Sequence, residues 1–345
     1  MNGIVLADER ISFPRSWKDP ANHLQRLLLS PWYKRLYEVN NAIQVGTRNF
    51  FELRGVGNLH VPVTTTSISS PMGLGSDSEP VRAEIAGGAV YLADSLQFLL
   101  ELGCRIAGRP VYYVSSAFRG EDVDSTHLSE FCHAETEIEG SLDDIVALAG
   151  AYVSHLASEL ISRVPNTVAD LAGTLSHLES VVSLNGQFER IRFDDALRTL
   201  EGESNVKKEV APGVFALTRE GEQKLMSRVG APLWVTHMPA LACPFYQRPE
   251  SGTSACLSAD LLLGPGEILG AGERCADAES TLKSLRLHDV DPHTYQWYVE
   301  MKRIAPLQTS GFGLGVERFI MWALKADDIR DCTMWLRQHG VVMDP

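Results

Sequence analysis

The chain of 345 residues lacks a long, uninterrupted run of apolar residues. Its most apolar stretch, residues 145–161, is interrupted by His155 and Glu159, so it predicts a buried helix rather than a membrane span. The N-terminus carries Asp8 and Glu9 and lacks the apolar centre of a secretory signal peptide. These absences favour a cytoplasmic protein without a membrane partner.

Metal-binding cysteine patterns are also missing. The six cysteines form no Cys-x-x-Cys pair and no His/Cys cluster with zinc-site spacing. Scattered cysteines of this kind are typical of reduced thiols in the cytosol. Apolar residues make up 44% of the chain and charged residues 22%, which excludes disorder as the dominant state.

Basic residues are outnumbered, with 31 lysines and arginines against 44 aspartates and glutamates and a net charge of −13. Generic binding to nucleic acid depends on lysine and arginine side chains that neutralise phosphates. The acidic balance therefore argues against a surface that grips nucleic acid at many points. A local basic groove stays compatible with it.

The order of predicted elements favours an α+β fold with a largely antiparallel sheet, because strands lie beside one another without regular βαβ alternation. Residues 1–24 predict an irregular N-terminal arm, and residues 185–230 predict a peripheral insertion with short helices. The Ser141-x-x-Asp144 pattern resembles a capping box that opens a long helix. The remaining predictions are strands at 60–65, 233–237, 257–263 and around Phe312, and helices at 24–54, 94–103, 168–184, 277–286, 295–304 and 316–326.

A predicted hairpin of strands 111–119 and 131–139 carries side chains suited to a nucleotide. Arg119 and Glu121 are two residues apart at the end of the first strand, so both point to one face. Phe131 begins the return strand. A cation, an acid and an aromatic ring on one face match a phosphate, an exocyclic amine and a base. Taken alone, the pattern also fits an exposed hairpin with cross-strand salt bridges.

The segment Gly311-Phe-Gly-Leu-Gly315-Val-Glu-Arg318 predicts a turn from a strand into a helix. Its glycines allow close approach of a ligand, and the first turn of the helix offers unpaired N–H groups to an anion. A tight turn without a ligand would give the same pattern.

Together these segments resemble the three motifs of class II aminoacyl-tRNA synthetases. Phe118-Arg-Gly-Glu121, followed by His127-Leu-Ser-Glu-Phe131, resembles motif 2, and Gly313-Leu-Gly-Val-Glu-Arg318 resembles motif 3. The predicted helix before residue 54, with His60-Val-Pro62, resembles motif 1.

The resemblance is to the aspartyl/asparaginyl branch, class IIb, and covers about residues 30–340. It implies the class II fold, an antiparallel sheet flanked by helices, in one catalytic domain over residues 25–345. It also implies ATP and Mg²⁺ as cofactors, an amino acid as substrate and a homodimer formed through motif 1.

The same resemblance implies roles for the ATP-binding residues. Arg119 would hold the α-phosphate and Glu121 would meet the adenine amino group. Arg318 would lie on the face of adenine opposite Phe131 and reach the γ-phosphate, so Arg119 and Arg318 would be the catalytic pair. The full implied ATP-binding set is Arg119, Glu121, His127 near the terminal phosphates, Phe131 stacked on adenine, Glu267, Gly315 and Arg318.

Asp260 and Glu267 match the family's pair of magnesium-binding carboxylates. Two acids near a triphosphate require a divalent cation, and magnesium prefers oxygen ligands. A surface turn with two solvated acids is the alternative explanation.

The amino-acid pocket is implied at Ser95, Gln97, Glu135 and Arg274. Arg274 matches the arginine that holds the substrate's end group, and a guanidinium fork suits a carboxylate or carboxamide oxygen. Gln97, in the Ser95-Leu-Gln97 segment, matches the residue that contacts the α-amino group. Leu100 and Glu135 are of the asparaginyl type, because aspartyl enzymes carry Lys and Asp there.

Four features depart from the family pattern. Thr126 stands where the branch has arginine before the motif 2 histidine, and Cys275-Ala276 replaces an acidic pair. Residues 70–77 replace a Glu-Gly segment that helps to bind the amino acid. About 25–30 residues precede the core, too few for the OB-fold that reads the anticodon.

From these departures and the acidic balance we expect tRNA to be an unlikely partner. The main hypothesis is an ATP-dependent ligase similar to asparagine synthetase-related proteins. It would adenylate a carboxylate of aspartate or a close analogue and transfer the acyl group to ammonia or another nitrogen nucleophile. One alternative is asparaginyl-type activation of asparagine with transfer to tRNA or another carrier. The other is a catalytically silent, nucleotide-binding regulatory paralogue, which the retained ATP-binding set argues against.

Overall fold

An eight-stranded sheet organises the computed structural model, which describes residues 11–69, 78–338 and 340–341. The helices are α1 (His23–Leu29), α2 (Pro31–Glu52), α3 (Gln97–Ala107), α4 (Leu142–Arg163), α5 (Pro165–Ala172), α6 (Ser176–Ser183), α7 (Phe193–Thr199), α8 (Arg219–Val229), α9 (Ala278–Leu287), α10 (Gln296–Ile304) and α11 (Val316–Ala323). The strands are β1 (Gly57–Asn58), β2 (Thr64–Thr65), β3 (Val81–Ile85), β4 (Gly88–Leu92), β5 (Val111–Phe118), β6 (Glu130–Glu139), β7 (Glu189–Arg192), β8 (Lys207–Ala211), β9 (Val214–Leu217), β10 (Leu233–Thr236), β11 (Ser258–Leu263), β12 (Gly266–Glu273) and β13 (Thr309–Gly315).

The strand order in the large sheet is β1-β5-β6-β13-β12-β11-β10-β7. The two edge pairs, β1 with β5 and β7 with β10, are parallel, and all pairs between them are antiparallel. A three-stranded sheet (β2-β4-β3) and the β8–β9 hairpin lie outside the large sheet. The predicted α+β fold with a mostly antiparallel sheet is therefore confirmed.

The main core lies between α2, α4 and one face of the sheet. Phe51 of α2 stacks on Tyr112 of β5 with ring centroids 4.4 Å apart. The predicted capping box is present at the start of α4, where Asp144 Oδ2 accepts a hydrogen bond of 2.8 Å from the Ser141 N–H. α4 is long and apolar enough to cross a membrane, but 56% of its most apolar 18-residue stretch is buried inside the protein. It packs as the central helix of this core, as the sequence predicted.

Sequence and structure differ where glycine is common. The helix predicted over 168–184 is two helices, because Gly173 adopts a φ of 75° and ends α5. The sequence pattern does not predict β12, because its glycines are unfavourable in an isolated strand. Gly272 leaves room for the Gln247 side chain, because a Cβ there would lie 1.9 Å from Gln247 Oε1. The predicted strand at 60–65 shrinks to Thr64–Thr65.

Residues 185–230 attach to the far edge of the large sheet. β7 pairs with β10, and the apolar side chains of α7 and α8 pack against β10 and β11 in a separate cluster. The predicted arm, 1–24, lies partly outside the described residues, and the segment 70–77 lies wholly outside them.

Candidate functional site

A cavity of about 570 Å³ lies on the sheet face opposite α2 and α4. Side chains alternate along each strand, so Ala134 and Phe312 point into the core, whereas Glu135 and Gly313 face the cavity. The predicted residues that line it are Ser95, Gln97, Arg119, His127, Phe131, Glu135, Asp260, Glu267, Arg274, Gly315 and Arg318. Residues from distant parts of the chain thus meet in one site.

Glu121 is the predicted residue that does not line the cavity. Its Oε1 accepts a hydrogen bond of 2.9 Å from the backbone N–H of Glu79. Its Oε2 is buried and has no hydrogen-bond partner among the described residues. The carboxylate is therefore close to the motif 2 strand end but is engaged with neighbouring backbone.

Arg119 and Phe131 form one end of the cavity, at the loop end of the β5–β6 hairpin. Phe131 pairs with Ala117 across the two strands, and the Arg119 guanidinium lies 5.7 Å from the Phe131 ring centroid. Arg119 Nε is buried without a hydrogen-bond partner in the described parts of the chain. A buried donor without an acceptor is costly, so this site is suited to an anionic ligand.

His127 lies at the hairpin tip beside Asp124. The ring nitrogen Nδ1 lies 3.1 Å from both carboxylate oxygens of Asp124. Burial raises the pKa of Asp124, but hydrogen bonds from Thr126 and His127 outweigh it and lower the pKa to about 2. The tip thus carries a fixed negative charge next to the histidine.

Asp260 and Glu267 approach each other from β11 and β12. A Cβ on Gly270 would lie 3.2 Å from Glu267 Oε1 and 3.6 Å from Asp260 Oδ1, so both carboxylates flank one point. Arg318 Nη1 donates a hydrogen bond of 2.8 Å to the Glu267 backbone oxygen. Asp260, Glu267 and Arg318 therefore lie close together.

The carboxylate pair fits magnesium. Its donors are oxygens, and magnesium in nucleotide sites takes one or two carboxylates and completes its shell with phosphates and water. Among the residues that the structure describes, no group of three His, Cys, Asp or Glu side chains is placed to hold a metal. Asp260 and Glu267 therefore suit an ion shared with a phosphate ligand rather than one held by protein alone.

Glu135 forms the centre of the predicted amino-acid pocket. Its Oε2 accepts hydrogen bonds from Ser95 Oγ at 2.7 Å and Tyr113 Oη at 2.5 Å. Its Oε1 lies 3.0 Å from His133 Nδ1. Burial raises the pKa of Glu135, but the charge of His133 and these hydrogen bonds outweigh it and lower the pKa below its usual range. The pocket thus presents an ionised carboxylate.

Arg274 is already paired inside the protein. Its Nη2 lies 3.1 Å from Glu137 Oε2, and its Nε lies 3.2 Å from Glu137 Oε1. Both side chains are buried. The guanidinium also lies 5.3 Å from the Tyr246 ring centroid, and Gln97 donates a hydrogen bond to the Tyr246 hydroxyl. Glu137 and Tyr246 therefore position the two predicted amino-acid-binding residues, Arg274 and Gln97.

The glycines of motif 3 make room for these acids. A Cβ on Gly311 would lie 1.9 Å from Glu137 Oε2 and 2.6 Å from the Thr136 backbone oxygen. A Cβ on Gly313 would lie 2.8 Å from Glu135 Oε1. Gly315 has open space, with its nearest contacts at 3.8 Å on Arg318. The first two glycines thus serve the pocket walls rather than direct contact with a ligand.

We expect Gly311→Ala to lower the free energy of unfolding by about 1–3 kcal/mol, because the added methyl group overpacks a buried strand. Gly315→Ala is the matched control and should change it by less than about 1 kcal/mol, since its Cβ meets no close neighbour. Urea unfolding of both variants tests this. Equal loss in the two variants would contradict the steric argument.

Residues of the 185–230 segment also line the cavity, although their sequence pattern predicts no chemistry. They are Phe193, Lys208, Ala216, Leu217, Thr218, Arg219 and Glu222. Glu222 Oε2 accepts a hydrogen bond of 3.1 Å from the Glu267 N–H. Burial and the charge of Glu267 raise the pKa of Glu222 to about 7. These residues belong to no recognisable motif. They reach the site only because strand pairing at the edge of the sheet brings them there.

A sequence model of the family "tRNA synthetases class II (D, K and N)" matches residues 22–339. An "Asparagine--tRNA ligase" from Herpetosiphon aurantiacus is 30% identical over 265 residues, which cover 73% of this chain and 58% of the relative. A protein of the same name from Koribacter versatilis is 26% identical over 310 residues, which cover 88% of this chain and 68% of the relative. The chain thus spans about three-fifths to two-thirds of the length of these relatives.

Solved structures show the same fold. The asparaginyl-tRNA synthetase from Pyrococcus horikoshii complexed with asparaginyl-adenylate has a TM-score of 0.85 and 24% identity, covering 94% of this chain and 73% of that chain. The aspartyl-tRNA synthetase from Entamoeba histolytica has a TM-score of 0.76 and 20% identity, covering 99% of this chain and 65% of that chain. The expected class II sheet flanked by helices is therefore confirmed.

The relatives overturn two expectations. The main hypothesis of a tRNA-independent, amide-forming ligase is wrong, because the curated relatives that match most of the chain are named asparagine–tRNA ligases. The expectation that tRNA is an unlikely partner is wrong for the same reason. Both expectations relied on the net charge of the whole chain and on the short segment before the core. A substrate, however, is selected by the side chains that contact it.

The relation to asparagine synthetase-related proteins is not confirmed by these relatives. The expected cofactors, ATP and Mg²⁺, are those of the class II synthetases. From the match over residues 22–339 and the shared fold, we conclude that the chain belongs to the family of class II tRNA synthetases of the D, K and N type.

Proposed function

We propose that the chain activates asparagine with ATP, giving asparaginyl-adenylate and pyrophosphate, and transfers the asparaginyl group to tRNA. One observation carries the proposal: a single cavity joins the Arg119–Phe131 end to the Glu135–Arg274 end. The first end suits a nucleotide and the second suits a small polar amino acid. The names of the curated relatives support asparagine and tRNA.

Asparagine fits the pocket better than aspartate. An ionised Glu135 accepts hydrogen bonds from the amide NH₂ of asparagine but repels the β-carboxylate of aspartate. Leu100 is fully buried in an apolar cluster with Leu96 and Tyr113, so this position provides no cation to offset that repulsion. The Arg274 guanidinium suits the amide oxygen.

The proposed reaction has two displacements. In the first, an α-carboxylate oxygen of asparagine attacks the α-phosphorus of ATP, and the bond to the bridging oxygen breaks to release pyrophosphate. In the second, a tRNA hydroxyl attacks the acyl carbon, loses its proton and displaces AMP. Arg119 would hold the α-phosphate and Arg318 the γ-phosphate, so catalysis comes from positioning and charge stabilisation. Asp260 and Glu267 would hold Mg²⁺, which neutralises phosphate charge when it is bound.

Three broader expectations stand as further parts of this proposal. We propose an arm over 1–24 and one catalytic domain over 25–345 with 185–230 as its insertion. We propose a homodimer on the motif 1 resemblance, although the apolar face of α2 is occupied by α4 within one chain. A cytoplasmic location is supported by a relative in Vairimorpha ceranae named "Probable asparagine--tRNA ligase, cytoplasmic".

The deciding experiment is ATP–pyrophosphate exchange, measured separately with asparagine and with aspartate. We expect exchange that depends on asparagine, is at least about tenfold slower with aspartate, and stops when EDTA removes magnesium. Addition of tRNA should then yield asparaginyl-tRNA, measured with radiolabelled asparagine.

Each other result contradicts a defined part of the proposal. Faster exchange with aspartate would overturn the role given to Glu135. Exchange without product on tRNA would overturn the acceptor. Nucleotide binding without exchange with either amino acid would favour the silent, regulatory alternative.

A further inference from the structure

The hairpin tip that would approach the terminal phosphates of ATP is poor in positive charge. Thr126 occupies the position where the family pattern has arginine, and its side chain donates a hydrogen bond of 2.9 Å to Asp124 Oδ1. His127 is held by the same carboxylate. The tip therefore presents a threonine and an aspartate-bound histidine to that end of the cavity.

A second arginine reaches this end of the cavity from the 185–230 segment. Arg219 is the first residue of α8 and lines the cavity with His127, Glu267 and Arg318. The start of α8 is fixed by Thr218, whose Oγ1 accepts a hydrogen bond of 3.1 Å from the Gly221 N–H.

Glu222 ties this turn of α8 to the predicted magnesium site. Residues three apart lie on the same face of a helix, so Arg219 and Glu222 face the cavity together. The hydrogen bond from the Glu267 N–H to Glu222 Oε2 anchors that face on β12. Arg219 therefore lies one helical turn from a side chain that is anchored on the backbone of Glu267, whose carboxylate would bind magnesium with the phosphates.

Charges of both signs surround Arg219. Burial lowers the pKa of its guanidinium, the charge of Arg318 adds to this effect, and the charges of Asp124 and Glu222 oppose it. Within the described ranges, the Arg219 guanidinium makes no hydrogen bond and no ion pair. Two guanidinium groups that repel each other across a cavity favour an anion between them.

We propose that Arg219 binds the β- and γ-phosphates of ATP together with Arg318. It would supply from α8 the positive charge that Thr126 does not supply from the hairpin tip. The inference rests on the use of ATP in the proposed function. It places the 185–230 segment in the phosphate site. The same two arginines would also hold the pyrophosphate before it is released.

The test compares ATP with AMP, because AMP lacks the two phosphates in question. We expect Arg219→Ala to raise the Kd of the full chain for ATP about tenfold in calorimetry, as for the loss of one charge-assisted hydrogen bond. Its Kd for AMP should stay within about twofold of the wild-type value. Arg219→Lys should recover part of the ATP affinity, since it retains the charge.

Arg228→Ala is the matched control, because Arg228 lies on the same helix and pairs with Glu203 away from the cavity. Its affinity for ATP should equal that of the wild type. Equal ATP affinity in Arg219→Ala, or equal losses for ATP and AMP, would overturn the proposal. Since binding needs no amino acid, the dissociation constants for ATP and AMP test Arg219 even when the wild type shows no exchange. Absence of exchange would refute the proposed function alone.

Discussion

Arg119→Ala is expected to slow ATP–pyrophosphate exchange by about 100-fold to 1,000-fold, because in the proposed reaction Arg119 is the donor that would stabilise charge on the α-phosphate. The fold should survive. The Arg119 backbone N–H keeps its hydrogen bond of 2.9 Å to the Ser129 oxygen, and the buried Nε has no partner to lose among the described residues. Steady-state exchange rates and thermal unfolding measure the two effects separately.

Arg303→Ala provides the control for removing a guanidinium. Arg303 is exposed on α10, pairs with Glu300 and does not line the cavity. Exchange should be unchanged in that variant. Near-normal exchange in Arg119→Ala would refute the phosphate role of Arg119.

Arg274→Ala is expected to destabilise the protein by about 3–5 kcal/mol, because it leaves Glu137 buried without its partner. It should also abolish activation of asparagine, since Arg274 would hold the substrate's end group. Denaturant unfolding and exchange assays measure the two losses. The double variant Arg274→Ala/Glu137→Gln should regain stability but not exchange, because it removes the unpaired charge without restoring the guanidinium.

The pH dependence of Arg274→Ala provides an independent check. Burial raises the pKa of Glu137 even beside Arg274, whose charge lowers it. Without Arg274 the folded state binds a proton more tightly than the unfolded state, so stability is retained at low pH and lost as pH rises through the folded-state pKa. The loss relative to wild type should therefore be larger at pH 8 than at pH 5. An equal loss at both pH values would show that the buried charge is not the cause.

The sequence predicts which side chains share a face best where they belong to one hairpin, because strand alternation alone then sets their directions. Arg119 and Phe131 lie on one hairpin, and strand alternation alone places Glu135 and Glu137 on the same face. The sequence does not predict that Gly311 and Gly313 make room for acidic side chains. Their neighbours, Glu137 and Glu135, come from a strand about 175 residues earlier in the chain.

The parts that the sequence did not predict depend on tertiary placement. β12 is rich in glycine and was missed, because its conformation is set by β11 and β13 on either side rather than by its own residues. Arg219 and Glu222 belong to no motif, and only the pairing of β7 with β10 and the packing of α8 bring them to the cavity. The expectation that tRNA is an unlikely acceptor is wrong, because the net charge of the whole chain does not give the local charge of a single binding groove.

The position of β13 has a consequence for how this protein is made. β13 lies between β6 and β12, yet it is translated about 170 residues after β6. Until it emerges from the ribosome, one edge of β6 is unpaired and offers backbone groups to other chains. Pairing over such a sequence distance is also slow. We therefore expect nascent chains that stop before residue 309 to aggregate and to depend on chaperones, and the phosphate site to form last.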